Sequence, residues 1–198
     1  KYYVNPGCTI NLYQDAAQRV DLGGDLTFTN GGTINVYGGS MHSHWPLVNN
    51  GSITMNAGTL DFKDRGILVY ALGGVSLTTN ITGGTIRTPG FFFSGRSDFS
   101  PTGGTVELYG NMDANLEIAA GSLYDLKVNK GITSTMTVLN NLPINGSLIV
   151  AMGALKASGV AINTSGNVTI QNGGTLWIEN GAQLKLGGSK IISIDNGG

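Results

Sequence analysis

The stretch Asn30-Gly31-Gly32-Thr33-Ile34-Asn35-Val36 decides the fold, because it returns as Asn56-Ala57-Gly58-Thr59-Leu60-Asp61-Phe62 and again as Thr82-Gly83-Gly84-Thr85-Ile86-Arg87-Thr88. The step from Thr33 to Thr59 is 26 residues, and so is the step from Thr59 to Thr85. Looser echoes follow at Gly103-Gly104-Thr105-Val106-Glu107-Leu108, Ala120-Gly121-Ser122-Leu123, Met152-Gly153-Ala154-Leu155 and Gly173-Gly174-Thr175-Leu176. A turn followed by a short strand, repeating at about 20 to 50 residues, is the sequence signature of a stacked-coil architecture. Within each copy apolar and polar residues alternate, which is the period of a strand with one buried side. The alternation continues through Leu26-Thr27-Phe28, Ile53-Thr54-Met55 and Val75-Ser76-Leu77, and no amphipathic helix interrupts it. The chain therefore reads as all-β: one domain over residues 1–198, a right-handed parallel β-helix (β-solenoid) with irregular coil lengths and loops.

In a solenoid, equivalent residues of successive coils stack on one another. The 26-residue register assigns Thr33, Thr59, Thr85 and Thr105 to one hydroxyl ladder, with Ile34, Leu60, Ile86 and Val106 as the aliphatic stack inside it. Each such buried aliphatic contributes about 1.5–3 kcal/mol. One position further on, Asn35, Asp61, Arg87 and Glu107 point outward. Coils lie about 4.8 Å apart, so Asp61, Arg87 and Glu107 form a candidate ion ladder across the surface.

Composition narrows the function. Charged residues are 12% of the chain, about half the usual share. With 11 basic and 12 acidic residues there is no electrostatic footprint for nucleic acid. No apolar run approaches the length of a membrane span; the longest, Ile67 to Leu72, reads as a buried strand. The 32 glycines sit beside alternating strands and mark turns. A single cysteine, Cys8, excludes an internal disulfide and reads as a small buried hydrophobe. The chain begins at Lys1 without a methionine or a leader, an opening compatible with secretion.

The densest local chemistry is Met41-His42-Ser43-His44-Trp45-Pro46, read as a loop between two units. It holds both histidines. Two imidazoles without a third ligand do not define a metal site, and no metal or other cofactor is expected. Trp45, with His44 beside it, is the candidate glycan contact, an aromatic face next to polar groups. Phe91-Phe92-Phe93 reads as a flap over the core. An enzyme of the polysaccharide-degrading β-helix type needs clustered carboxylates with a basic partner. Asp61-Phe62-Lys63-Asp64-Arg65 is the nearest approach to that, and it reads as a solvated turn. No phosphate loop or Cys/His metal motif is present. The expectation is that the chain is not an enzyme.

The segment Tyr124-Asp125-Leu126-Lys127-Val128-Asn129-Lys130, followed by Leu142-Pro143-Ile144-Asn145-Gly146-Ser147-Leu148-Ile149-Val150 and Gly153-Ala154-Leu155, resembles the repeated phrase of large secreted, adhesin-like surface proteins of Bacteroidota and related bacteria. The resemblance implies a β-helical domain that is extracellular or at the cell surface, and it carries no functional residue across.

Solenoid ends ordinarily need polar caps. Here Tyr2-Tyr3-Val4 and Lys190-Ile191-Ile192-Ser193-Ile194-Asp195 are strand-like at both ends. Tyr2, Tyr3, Val4, Ile191, Ile192 and Ile194 are thus the candidate assembly residues. The partners they imply are copies of the chain, joined end to end, or flanking domains of a longer chain. The sequence supports a rigid structural subunit or stalk, with a carbohydrate-binding adhesion module that contacts surface glycans as the alternative.

Overall fold

A computed structural model of the chain describes residues 2–5, 7–13, 19–22, 28–30, 32–43, 47–49, 52–62, 67–70, 78–94 and 99–196. These residues are all β: the described chain contains parallel strands and turns, and no helix. The strands, numbered along the chain, fall on three faces, called here A, B and C, visited in that order by every coil.

Face A carries β1 (Tyr2–Val4), β4 (Phe28–Asn30), β7 (Leu47–Asn49), β10 (Ile67–Tyr70), β12 (Phe91–Ser94), β14 (Ala114–Ile118), β16 (Thr135–Val138), the second half of β18 (Leu148–Ser158) and β21 (Gly174–Glu179). Face B carries β2 (Thr9–Leu12), β5 (Thr33–Val36), β8 (Ser52–Met55) and the first half of β11 (Thr78–Thr88). Isolated bridges, Phe99 to Gly121 and Leu123 to Ile144, continue that face to β17 (Leu142–Ile144), β19 (Ala161–Thr164) and β22 (Gln183–Leu186). Face C is the unbroken one. Its strands pair in the order β3 (Arg19–Leu22), β6 (Ser40–Ser43), β9 (Thr59–Phe62), β11, β13 (Gly103–Gly110), β15 (Asp125–Lys130), β18, β20 (Val168–Ile170) and β23 (Ile192–Ile194).

The core is the inside of this three-sided tube. On face C, Met41, Leu60, Ile86, Val106, Leu126, Leu148 and Val168 lie one above another and are all buried. Face A contributes Phe91, Leu116, Val138 and Leu155, and face B contributes Ile34, Ile53 and Ile162. Phe91 packs edge-on against Phe99, with ring centroids 5.3 Å apart. The Phe91–Phe93 segment is therefore part of strand β12, not a flap over the core.

The register revises the sequence reading in one respect. Thr59, Thr85 and Thr105 do stack on face C, together with Leu60, Ile86 and Val106. Thr33, Ile34 and Asn35 belong to face B, where Thr33 pairs with Thr9 and Ser52 and Asn35 pairs with Asn11 and Thr54. The Ser52 hydroxyl donates to Thr33 Oγ1 at 3.0 Å, across a step of 19 residues. Of the two 26-residue steps between copies of the phrase, the one from Thr59 to Thr85 joins paired residues of successive coils, and the one from Thr33 to Thr59 does not. The physical reason is that the phrase encodes a corner, and corners before faces B and C need the same chemistry. Gly58 and Gly84 have φ of +78° and +83°, a conformation that side chains other than glycine's resist. A Cβ on Gly58 would also meet the Gly38 carbonyl carbon at 2.7 Å. A glycine followed by a strand thus marks a bend without saying which bend.

Two further expectations change. Residues 41–43 are in strand β6, with Met41 buried in the core, so the histidine-containing stretch does not begin as a loop. Cys8 is exposed, because it lies in the turn closed by its own N–H donating to the Asn5 carbonyl at 2.9 Å.

Candidate functional site

Alternation on face C turns one residue in two outward, and there the structure gathers its charges. Asp61, Arg87, Glu107 and Lys127 occupy the same outward column on β9, β11, β13 and β15. Arg87 lies between two carboxylates: its Nε donates to Glu107 Oε2 at 2.7 Å and its Nη1 to Asp61 Oδ2 at 3.3 Å. Lys127 Nζ reaches Glu107 Oε1 at 3.2 Å. The column beside it adds Tyr109 and Asn129, which pair with each other across β13 and β15. Tyr109 Oη donates to Asp61 Oδ1 at 2.6 Å, and Asn129 Nδ2 donates to Glu107 Oε1 at 3.0 Å. The Arg87 guanidinium lies 4.6 Å from the Tyr109 ring centroid, within cation–π range. Beneath these two side chains Asp61 is only 3% exposed although it points outward.

The electrostatics follow from this enclosure. Burial works to lower the Arg87 pKa, but the hydrogen bond and charge of Glu107, the charge of Asp61 and Tyr109 carry it above its ordinary value. Burial works to raise the Glu107 pKa, and hydrogen bonds from Asn129, Arg87 and Lys127 carry it below its ordinary value. Glu107 is thus held ionised, and both carboxylates are engaged by side-chain donors. That arrangement suits locking adjacent coils together better than transferring protons, which needs a group near its working pKa.

A second polar group sits inside the tube. Lys130 is 1% exposed at the end of β15. Directly opposite it in the pairing is Gly110, which has no side chain. The Lys130 ammonium donates to the Tyr109 and Pro89 carbonyls, each at 2.9 Å, and so ties three successive coils at one corner. Burial pushes its pKa down, with Asp113 partly opposing.

The other sequence-derived candidates are dispersed. Trp45 and His44 lie outside the described residues, as do Lys63, Asp64 and Arg65. His42 is placed in register with Asp21 and Asp61 on face C. Tyr2, Tyr3 and Val4 form β1 and pair with Phe28, Thr29 and Asn30. Ile191, Ile192 and Ile194 are exposed. Trp177 shares its outward column with Lys156 and Thr137. Lys156 lies 5.9 Å from the Trp177 ring centroid and pairs with Glu179 at 2.7 Å.

Sequence reasoning missed Tyr109, Lys127, Asn129 and Lys130. Each carried a signal. Tyr109 shares the parity of Glu107, while Lys127 and Asn129 share parity with each other and lie one coil beyond Glu107 and Tyr109. Lys130 shares the inward parity of Leu126 and Val128.

Among the described residues no group of three or more His, Cys, Asp or Glu side chains converges to hold a metal, and no helix is long and apolar enough to cross a membrane. No family model, no curated protein and no solved structure matches the chain.

Proposed function

We propose that the chain is a non-enzymatic extracellular structural protein, a rigid β-solenoid subunit or stalk that associates end to end into a fibre or surface assembly. The observation that carries this reading is the outer edge of β21, β22 and β23. Ile192 and Ile194 continue the inward columns of Val168 and Ile170, which are buried, yet they are 48% and 64% exposed. Ile178 likewise continues the column of the fully buried Ala157. On face B the half-buried Leu184 and Leu186 continue the columns of Ile162 and Thr164. An apolar rim whose strand edges are unpaired among the described residues takes a further coil, whether from a second copy or from a flanking domain of a longer chain.

The phase of the coils accommodates a second copy. The first described strands run A, B, C as β1, β2 and β3, and the last run A, B, C as β21, β22 and β23. A second copy in the same orientation sets β1 on β21, β2 on β22 and β3 on β23. On face B this meeting puts Ile10 and Leu12 over Leu184 and Leu186. The engaged state of Asp61 and Glu107 supports the non-enzymatic part of the reading, and the likeness to adhesin-like surface proteins supports the extracellular part. The test is sedimentation and electron microscopy across a concentration series. Linear chains that vanish in an Ile192→Lys/Ile194→Lys variant support the reading, and a species that stays monomeric at every concentration rejects it.

A further inference from the structure

The outer side of face B is not used by end-to-end association, and its chemistry differs from that of face C on the same coils. Its outward columns from β2 to β11 hold only hydroxyls, amides and phenol rings: Thr9 stacks with Thr33, Ser52 and Thr78, and Asn11 stacks with Asn35, Thr54 and Asn80. Among the described residues, the charged positions of the same coils, Arg19, Asp21, Asp61 and Arg87, fall on strands of face C. We infer that this part of face B binds a neutral, extended polysaccharide lying along the coil axis.

Three features carry the inference. The described outward columns of face B carry no charged side chain of the kind by which a polyanion or polycation is recognised. Its amides are oriented, since Asn35 Nδ2 donates to Asn11 Oδ1 at 2.8 Å, and each amide keeps further donor and acceptor capacity for a ligand hydroxyl. Outward groups recur with the strand spacing of about 4.8 Å, so a polymer of repeating rings meets equivalent groups coil after coil. At the margin of this array Tyr13, 60% exposed, and Tyr37 stack with centroids 5.9 Å apart and planes at 28°. Beside Tyr37 an open depression is floored by Gly38, Gly39, Ala57 and Gly58. An aromatic wall over a floor of small residues accepts the apolar side of a sugar ring, while the asparagines take its hydroxyls.

The test is depletion of the full chain from solution by insoluble cellulose, chitin and a β-1,3-glucan, in low and high salt, with polygalacturonate as the charged comparison. At least one neutral polymer is expected to bind the chain, with an affinity unchanged by salt. The Tyr13→Ala/Tyr37→Ala variant is expected to bind at least about tenfold more weakly, with its circular dichroism unchanged. If the tyrosine variant does not fold, Asn35→Asp places a charge in the neutral column with little change of shape, and the same loss is expected. The inference is overturned if no neutral polymer binds, if only polygalacturonate binds, or if the tyrosine variant binds like the parent. End-to-end association is read separately by sedimentation, so either proposal can fail alone.

Discussion

Arg87 lies between two carboxylates, one on the coil before its own and one on the coil after, and its removal takes a counter-charge from the buried Asp61 and one of two from Glu107. Arg87→Met is predicted to cost about 1–3 kcal/mol, measured as a lower urea midpoint. Lys127→Met is predicted to cost less than about 1 kcal/mol, since its ammonium is partly solvated. The depressed pKa of Glu107 fixes a pH dependence. Its contribution is present above the ordinary value of 4.5 and is lost as pH falls through the lower folded-state value, because the unfolded chain takes up the proton first. The stability difference between the parent chain and Glu107→Gln is therefore predicted to narrow from about pH 7 to about pH 3, read from urea midpoints at each pH. At Lys130 the stability also rises with pH, but there the charged form is the penalised one. Its folded-state pKa lies below 10.5, so burying the charge is penalised at neutral pH, and the penalty is relieved as pH rises toward 10.5. Alternation in the sequence placed Asp61, Arg87 and Glu107 outward and in line. It did not show that Tyr109 and Arg87 would cover Asp61, because that depends on which rotamers the neighbouring coils leave open. Lys130 had inward parity but a charged head, and only Gly110 and the corner carbonyls make its burial workable.

At the scale of elements, coil stacking depends on close backbone approach where strands bend. The pairing of β11 with β13 shifts register between Thr82 and Thr85. There a Cβ on Gly103 would meet the Thr82 carbonyl oxygen at 2.1 Å. Gly103→Ala is predicted to destabilise by more than about 2 kcal/mol, read as a lower melting temperature, since backbone and not a flexible side chain must give way. Leu155 is fully buried between Met136 and Leu176 on face A. Leu155→Ala is predicted to cost about 2–5 kcal/mol. The solenoid itself was legible from the repeated corner phrase and the two-residue alternation. The assignment of coils was less so, because the same glycine-then-strand chemistry serves two corners and coil lengths vary, from 19 residues between Thr33 and Ser52 to 26 between Asp61 and Arg87. Strand β6 was hidden for a similar reason: one buried Met41 between polar residues does not announce a strand without its partners β3 and β9.

At the scale of the whole molecule, face C is one ladder from β3 to β23, so the coils form a continuous parallel stack. The apolar columns of that stack are buried along its length and surface at Ile192 and Ile194. Exposed Ile-to-Lys changes there are predicted to alter monomer stability by no more than about 0.5 kcal/mol, while removing the surface on which another coil seats. The measurement that tests the central claim most directly is negative-stain electron microscopy of the concentrated chain beside its Ile192→Lys/Ile194→Lys variant. The account predicts unbranched chains one solenoid wide for the parent and isolated short rods for the variant. Isolated rods for both, or chains that persist in the variant, would contradict it.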